Sequence, residues 1–141
     1  MIGKVLGLDL GERTLGIAES DLMGIIAQGV ENFRFEDCQF DKALERVIYY
    51  VKKDNINEIA LGLPLHMSGD ESEHSKMARD FKLSIEEALP NVKVVLIDER
   101  WTTKQATRRL LEADLSRNKR KKVIDKMAAV VILETYLQMR G

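Results

Sequence analysis

The chain has 141 residues, with 22 Lys and Arg against 23 Asp and Glu and a formal charge of -1. That length suits one domain over 1–141, and area scaling lets it bury about two-thirds of its unfolded surface, so a core needs no staples. One cysteine, Cys38, excludes an intramolecular disulfide framework and is expected as a small, at least half-buried apolar residue in a reducing compartment. No apolar run approaches the ~18 residues of a membrane span, and Asp9 interrupts any signal-peptide core, so a cytoplasmic protein with no membrane partner is expected.

Lys4 to Leu10 and Thr14 to Ser20, separated by Gly11-Glu12-Arg13, read as strand, tight turn, strand. Ile25 to Phe33 follows the Asp21-Leu22-Met23-Gly24 turn and makes a third antiparallel strand. From Phe40 the period changes: Phe40, Ala43, Leu44, Val47, Ile48 and Val51 share one stripe of a helix. Ile59 to Leu63 is a short apolar run ending at Pro64, as a buried parallel strand would.

A polar loop from Leu65 to Ser75 precedes a second helical stripe of Met77, Ala78, Phe81, Ile85, Ala88 and Leu89. Val92 to Glu99 is the fifth strand. Thr102-Thr103 can cap a third helix through Leu111, and Val123 to Met139 is a fourth, apolar on most sides and therefore deep. The last two strands arrive by helical crossovers. The expected fold is thus α/β, a mixed sheet of three antiparallel and then two parallel strands flanked by helices.

The near-neutral total is a cancellation. Residues 1–99 carry 11 basic and 19 acidic groups, whereas residues 100–141 carry 11 basic and 4 acidic. The densest element is Arg117, Lys119, Arg120, Lys121 and Lys122, expected on the loop before the last helix as a phosphate-backbone contact.

Three carboxylates stand out. Asp9 falls late in the first strand on the face of Val5 and Gly7, where a charge needs a partner or a metal, and Gly7, Gly11, Gly16 and Ala18 leave room for a ligand. Glu99 ends the fifth strand on the face of Val95 and Ile97, with Asp98 opposed. Asp125 is expected in the first turn of the last helix, where the dipole favours an anion. Oxygen donors without histidine suit Mg²⁺ or Mn²⁺, and two such ions can serve phosphodiester hydrolysis. His66 and His74 lack a third ligand in register and are not read as metal ligands.

Gly7-Leu8-Asp9-Leu10-Gly11-Glu12-Arg13-Thr14-Leu15-Gly16-Ile17-Ala18, Gly62-Leu63-Pro64-Leu65, Asp98-Glu99-Arg100 and Asp125-Lys126-Met127-Ala128-Ala129 together resemble the YqgF (RuvX) family, which has the ribonuclease H-like fold. His66 and Trp101 depart from its usual pattern without removing a proposed ligand. The resemblance implies a metal-dependent nuclease centre at Asp9, Glu99 and Asp125, with no fourth ligand named by the sequence. Family members are described as nucleases for the 5′ end of precursor 16S ribosomal RNA, and older descriptions call them Holliday junction resolvases.

Precursor ribosomal RNA is therefore the favoured partner and branched DNA the alternative, with Arg13 and Arg100 as candidate phosphate contacts beside the acidic centre. A binding module for RNA or ribosome maturation, without catalysis, is a third reading. Asp9-Leu10-Gly11 with Gly16 is also similar to the phosphate hairpin of actin-like ATPases, but those need two such domains and the Walker pattern is absent, so no nucleotide cofactor is expected. No dimer face is evident, and a monomer or weak homodimer is expected.

Overall fold

A computed structural model describes residues 3–100 and 117–140, with side chains described over 3–100 and 127–140. The chain opens with β1 (Val5–Leu10), β2 (Thr14–Ser20) and β3 (Ala27–Arg34), followed by α1 (Phe40–Asp54), β4 (Glu58–Leu63), α2 (Glu73–Ala88), β5 (Lys93–Asp98) and α3 (Arg117–Arg140). The helix expected over 102–111 and Trp101 lie outside the described residues.

The five strands form one sheet in the order β3-β2-β1-β4-β5. β1 pairs antiparallel with β2 and parallel with β4; β2 pairs antiparallel with β3, and β4 parallel with β5. This is the expected mixed sheet, and the adjacency of β1, β4 and β5 brings the ends of β1 and β5 to one edge.

Strand alternation divides the core between two faces. Leu6, Leu8 and Leu10 point with Leu15, Ile17, Ile59 and Leu61 toward α1 and α2, meeting Ala43, Val47, Tyr50, Val51, Ala78, Phe81 and Ile85. On the other face Val5, Ala18, Ala60 and Ile97 meet Ala129, Val130, Ile132, Leu133 and Tyr136 of α3. Five consecutive buried residues, 129–133, fit a helix pressed across several strands rather than grazing one.

Local chemistry sets the helix ends. Asn55 closes α1 in the left-handed region (φ 54°), a conformation asparagine tolerates, and its N–H donates to the Val51 carbonyl. Ser72 caps α2: its hydroxyl accepts from the Ser75 N–H, the Ser75 hydroxyl accepts from the Ser72 N–H, and the Ser72 hydroxyl donates to the Pro64 carbonyl. α2 therefore begins at Glu73, inside the stretch read as loop from sequence.

Two expectations are corrected at the C-terminal helix. The basic segment Arg117 to Lys122 is the start of α3, not a loop before it. Lys and Arg are good helix formers and the chain has no Gly or Pro from 92 to 140, so the helix runs through the charge cluster. Asp125 consequently lies in the third turn of α3, beyond reach of the N-terminal dipole invoked for it. Cys38 is also corrected: it is exposed, at φ 56°, because the chain turns sharply there to let its N–H donate to the Glu12 carbonyl at 2.8 Å.

Candidate active site

Asp9 sits near the C-terminal end of β1, paired with Gly16 of β2, which is paired in turn with Asn32 of β3. Directly paired residues share a face, so Asp9 and Asn32 lie on the α3 side of the sheet with Gly16 empty between them. Asn32 was not singled out from sequence, yet its Oδ1 is buried and has no hydrogen-bond partner among the described residues. A lone asparagine in a strand gives no local signal; the sheet register exposes its placement.

Glu99 follows the last residue of β5 rather than belonging to the strand, and its carboxyl turns back over Gly62 of β4. A methyl group on Gly62 would stand 2.8 Å from Glu99 Oε1 and 2.6 Å from Ile132 Cδ1. Gly62 is therefore the space that admits the carboxyl between sheet and helix. There Glu99 is hydrogen-bonded to Asp9, and burial first, then the facing Asp9 charge, pushes its pKa up to about 10. The two carboxylates expected to share a site are in contact.

The space beside Gly7 has another use than the one expected. A Cβ there would lie 2.7 Å from Leu133 Cβ and 2.9 Å from the Ala129 carbonyl oxygen, so α3 occupies it and no ligand enters. This contact fixes the helix register. Tyr136 Oη donates to Glu58 Oε2 at 2.7 Å and Arg140 Nη1 at 2.9 Å, locking the end of α3 to the start of β4, level with Val5. α3 thus runs antiparallel to β1. From Ala129 back to Asp125 is about 6 Å of helix, matching the roughly 6.6 Å of strand from Gly7 to Asp9. The backbone of Asp125 is placed one turn beyond the Gly7 contact, toward the Asp9 end.

The expected phosphate contacts differ among themselves. Arg13 is on the β1–β2 turn with its side chain 70% exposed, 3.7 Å from Asp37, and is available to an approaching anion. Arg100 is not similarly available. Its guanidinium is forked onto Asp98, with Nη2 at 2.6 Å and Nε at 2.8 Å from Oδ2, which holds the Asp98 carboxyl below its usual pKa. Its Nη1 also reaches the Met67 carbonyl at 3.4 Å, tying the loop after β4 to the end of β5. The side chains of Arg117, Lys119, Arg120, Lys121, Lys122 and Asp125 lie outside the described residues. His74 lies 3.7 Å from Glu12, and His66 closes a turn through its backbone with Asp70 and Gly69. Among the described residues no group of three His, Cys, Asp or Glu clusters as a metal site, and no helix is long and apolar enough to cross a membrane.

A 3-2-1-4-5 mixed sheet with two carboxylates meeting where its first and fifth strands end is a ribonuclease H-like fold. Two solved structures share this fold over nearly their whole length. Thermus thermophilus RuvC in complex with a Holliday junction has a TM-score of 0.62 at 15% identity, covering 97% of this chain and 95% of that one. The fowlpox virus resolvase with Holliday junction DNA has a TM-score of 0.60 at 15% identity, covering 97% and 98%. At the level of sequence, the chain belongs to the RuvX family, whose model, described as "Holliday junction resolvase", matches residues 3–139. Its relatives include proteins of Staphylococcus saprophyticus and Staphylococcus haemolyticus, 45% and 44% identical over 134 residues (95% of this chain and 94% of each relative), both named "Putative pre-16S rRNA nuclease".

Proposed function

We propose that this protein is a metal-dependent nuclease that hydrolyses phosphodiester bonds in precursor 16S ribosomal RNA, with Asp9, Glu99 and Asp125 as its metal-holding residues. The observation that carries the proposal is the contact between Asp9 of β1 and Glu99 just past β5, two acids held together although burial and the Asp9 charge oppose ionisation of Glu99. A buried acidic pair fits a hard divalent cation: both donors are oxygen, Gly62 opens the space for the Glu99 carboxyl, and Asn32 Oδ1, on the same sheet face, is an acceptor with no hydrogen-bond partner among the described residues. Mg²⁺ or Mn²⁺ bound there, as one ion or as two with substrate present, would stabilise charge on the reacting phosphate and favour ionised water near neutral pH.

The chain's own groups supply the rest. Asp9 and Glu99 would hold the site from the end of the sheet, and Asp125 would join them from α3, whose register is pinned by Gly7 and Glu58. Arg13, exposed on the turn after Asp9, and the basic residues Arg117, Lys119, Arg120, Lys121 and Lys122 would supply positive charge for the phosphate backbone. Arg100 contributes by holding the 64–72 loop, and reaches a phosphate only by releasing Asp98.

The names of the staphylococcal relatives favour RNA, whereas the family description favours a second reading, cleavage of four-way DNA junctions. The deciding experiment offers precursor 16S RNA and a four-way DNA junction side by side, with Mg²⁺ or EDTA, to the parent and to Asp9→Asn. Metal-dependent RNA cleavage by the parent, absent from the variant although RNA is still retained, is the expected result. Equal cleavage by Asp9→Asn overturns the site; retention of RNA without cleavage by the parent favours a binding module instead.

A further inference from the structure

We infer that the cleft between the end of β3 and the start of α1 is a subsite for one unpaired base of a single-stranded stretch of substrate, at the same end of the sheet as the proposed nuclease centre and on its other face. The inference rests on the nucleic-acid reading above and adds a second contact surface to it. The cleft is open, about 460 Å³, and is lined by Phe33, Arg34, Phe35, Glu36, Gln39 and Lys42. That volume is within the range of small-molecule sites.

Its walls have the chemistry of a nucleotide. Three of the chain's four phenylalanines gather here: Phe35 stacks on Phe33 at 6.3 Å and meets Phe40 edge-on at 6.0 Å. Arg46 lies over the Phe33 ring at 5.6 Å, and all three rings pack on the core beneath, so they form a fixed platform. Phe33 and Phe35 nevertheless stay only half-buried and line the cleft. Arg34 and Lys42 are exposed cations within the acidic part of the chain, and among the described residues Lys42 has Glu45, at 3.8 Å, as its one ion-pair partner. Rings for a base, cations for the phosphates on either side, and Glu36 and Gln39 for the base edge make up the lining. A paired base has both faces covered by its neighbours, so only an unpaired one can use such a platform.

Position connects the cleft to Asp9. The Phe35 N–H donates to the Arg13 carbonyl at 2.9 Å and the Cys38 N–H to the Glu12 carbonyl, so the cleft segment is strapped to the turn that follows Asp9. Phe33 pairs with Leu15 on the α1 face of the sheet, next to the Gly16 that pairs with Asp9 on the opposite, α3 face. Two strand spacings, roughly 10 Å, separate Asp9 from β3, with exposed Arg13 between them. A strand reaching from the acidic centre to Arg34 and Phe35 would pass round this end of the sheet, over the β1–β2 turn that carries Arg13.

The test is binding without cleavage. Fluorescein-labelled ten-nucleotide single-stranded RNA is titrated in EDTA, by anisotropy, against the parent, Phe35→Leu, Arg34→Glu and Lys42→Glu, with duplex RNA and a mononucleotide as comparisons. Base stacking of this kind corresponds to a loss of roughly 5-fold or more in affinity for Phe35→Leu. The two exposed charge reversals, which leave the core untouched, should weaken single-strand binding and steepen no duplex effect. RNA carrying 5-iodouridine should photocross-link to the tryptic peptide Phe35–Lys42. Unchanged affinity in both charge variants, or cross-links confined to other peptides, overturns the subsite, as does a mononucleotide binding as tightly as the oligonucleotide. Because nothing here depends on hydrolysis, a failed subsite with intact cleavage is distinguishable from a failed nuclease reading with an intact subsite.

Discussion

Two glycines, not a charged residue, decide where the acids meet. Gly62 holds the Glu99 carboxyl against Ile132, and Gly7 lets α3 come close enough to cover that carboxyl. Alanine at 62 would press on the flexible ends of Glu99 and Ile132, so Gly62→Ala should fold but displace Glu99. The expected outcome is a cleavage rate well below the parent's with little change in unfolding midpoint. Alanine at 7 instead meets the helix itself, at Leu133 Cβ and the Ala129 carbonyl, and helix and sheet must part. Overpacking of this kind costs about 1–3 kcal/mol, and Gly7→Ala should show it as a lowered midpoint in urea. The sequence points to Gly7, but as room for a ligand, and contains Gly62 only within the Gly62-Leu63-Pro64-Leu65 motif. No spacing rule distinguishes a glycine that admits a helix from one that admits a substrate, because the partner lies 122 residues or more away in the chain.

Among the elements, β1 to β5 are legible because alternation and apolar runs are local signals, and the parallel direction of the last two follows from their helical crossovers; the order β3-β2-β1-β4-β5 comes from the structure. The C-terminal helix was harder. Its start was expected at Val123, where apolar residues begin, but the helix already includes Arg117 because backbone propensity does not require burial. Its register could not be read from sequence at all, since it depends on Tyr136 and Arg140 meeting Glu58 across about eighty residues. That lock can be weakened singly. Tyr136→Phe removes one hydrogen bond to a carboxylate while Arg140 still satisfies Glu58, so a loss near the lower end of the ~1.5–3 kcal/mol typical of such bonds is expected in urea unfolding. If α3 also carries Asp125 to the site, the same variant should raise the Mg²⁺ concentration needed for cleavage. The Arg100 fork on Asp98 escapes the sequence for a different reason: an arginine beside two acids reads equally as a substrate contact or a structural tie.

At the scale of the whole molecule, two acid pairs impose opposite demands on pH and ligand. A cation that binds the folded Asp9–Glu99 site and not the unfolded chain should stabilise the protein, by about 2.7 kcal/mol at a concentration one hundred times its Kd. Titrating Mg²⁺ or Mn²⁺ against the thermal midpoint should show this for the parent and not for Asp9→Asn, independently of any cleavage. The second pair lies at the far end of the sheet, where Glu19 of β2 meets Asp54 at the end of α1, with Lys4 3.8 Å from each and Lys53 nearby. Burial first, then the Asp54 hydrogen bond and charge, raises the Glu19 pKa from 4.5 to about 7, while the hydrogen bond from Glu19 lowers that of Asp54. The pair therefore keeps one proton that the unfolded chain would release. Stability from Glu19 is fully present below pH 4.5 and is lost as pH rises through about 7; stability from Asp54 is present above 3.8 and is lost as pH falls through its depressed value. The two contributions coincide near pH 4. Glu19→Gln keeps a donor for Asp54 without a titrating proton, so its unfolding free energy should decline less than the parent's between pH 4.5 and 7. Urea unfolding of both proteins in EDTA across that interval measures the difference, and parallel profiles would show that Glu19 does not hold the proton.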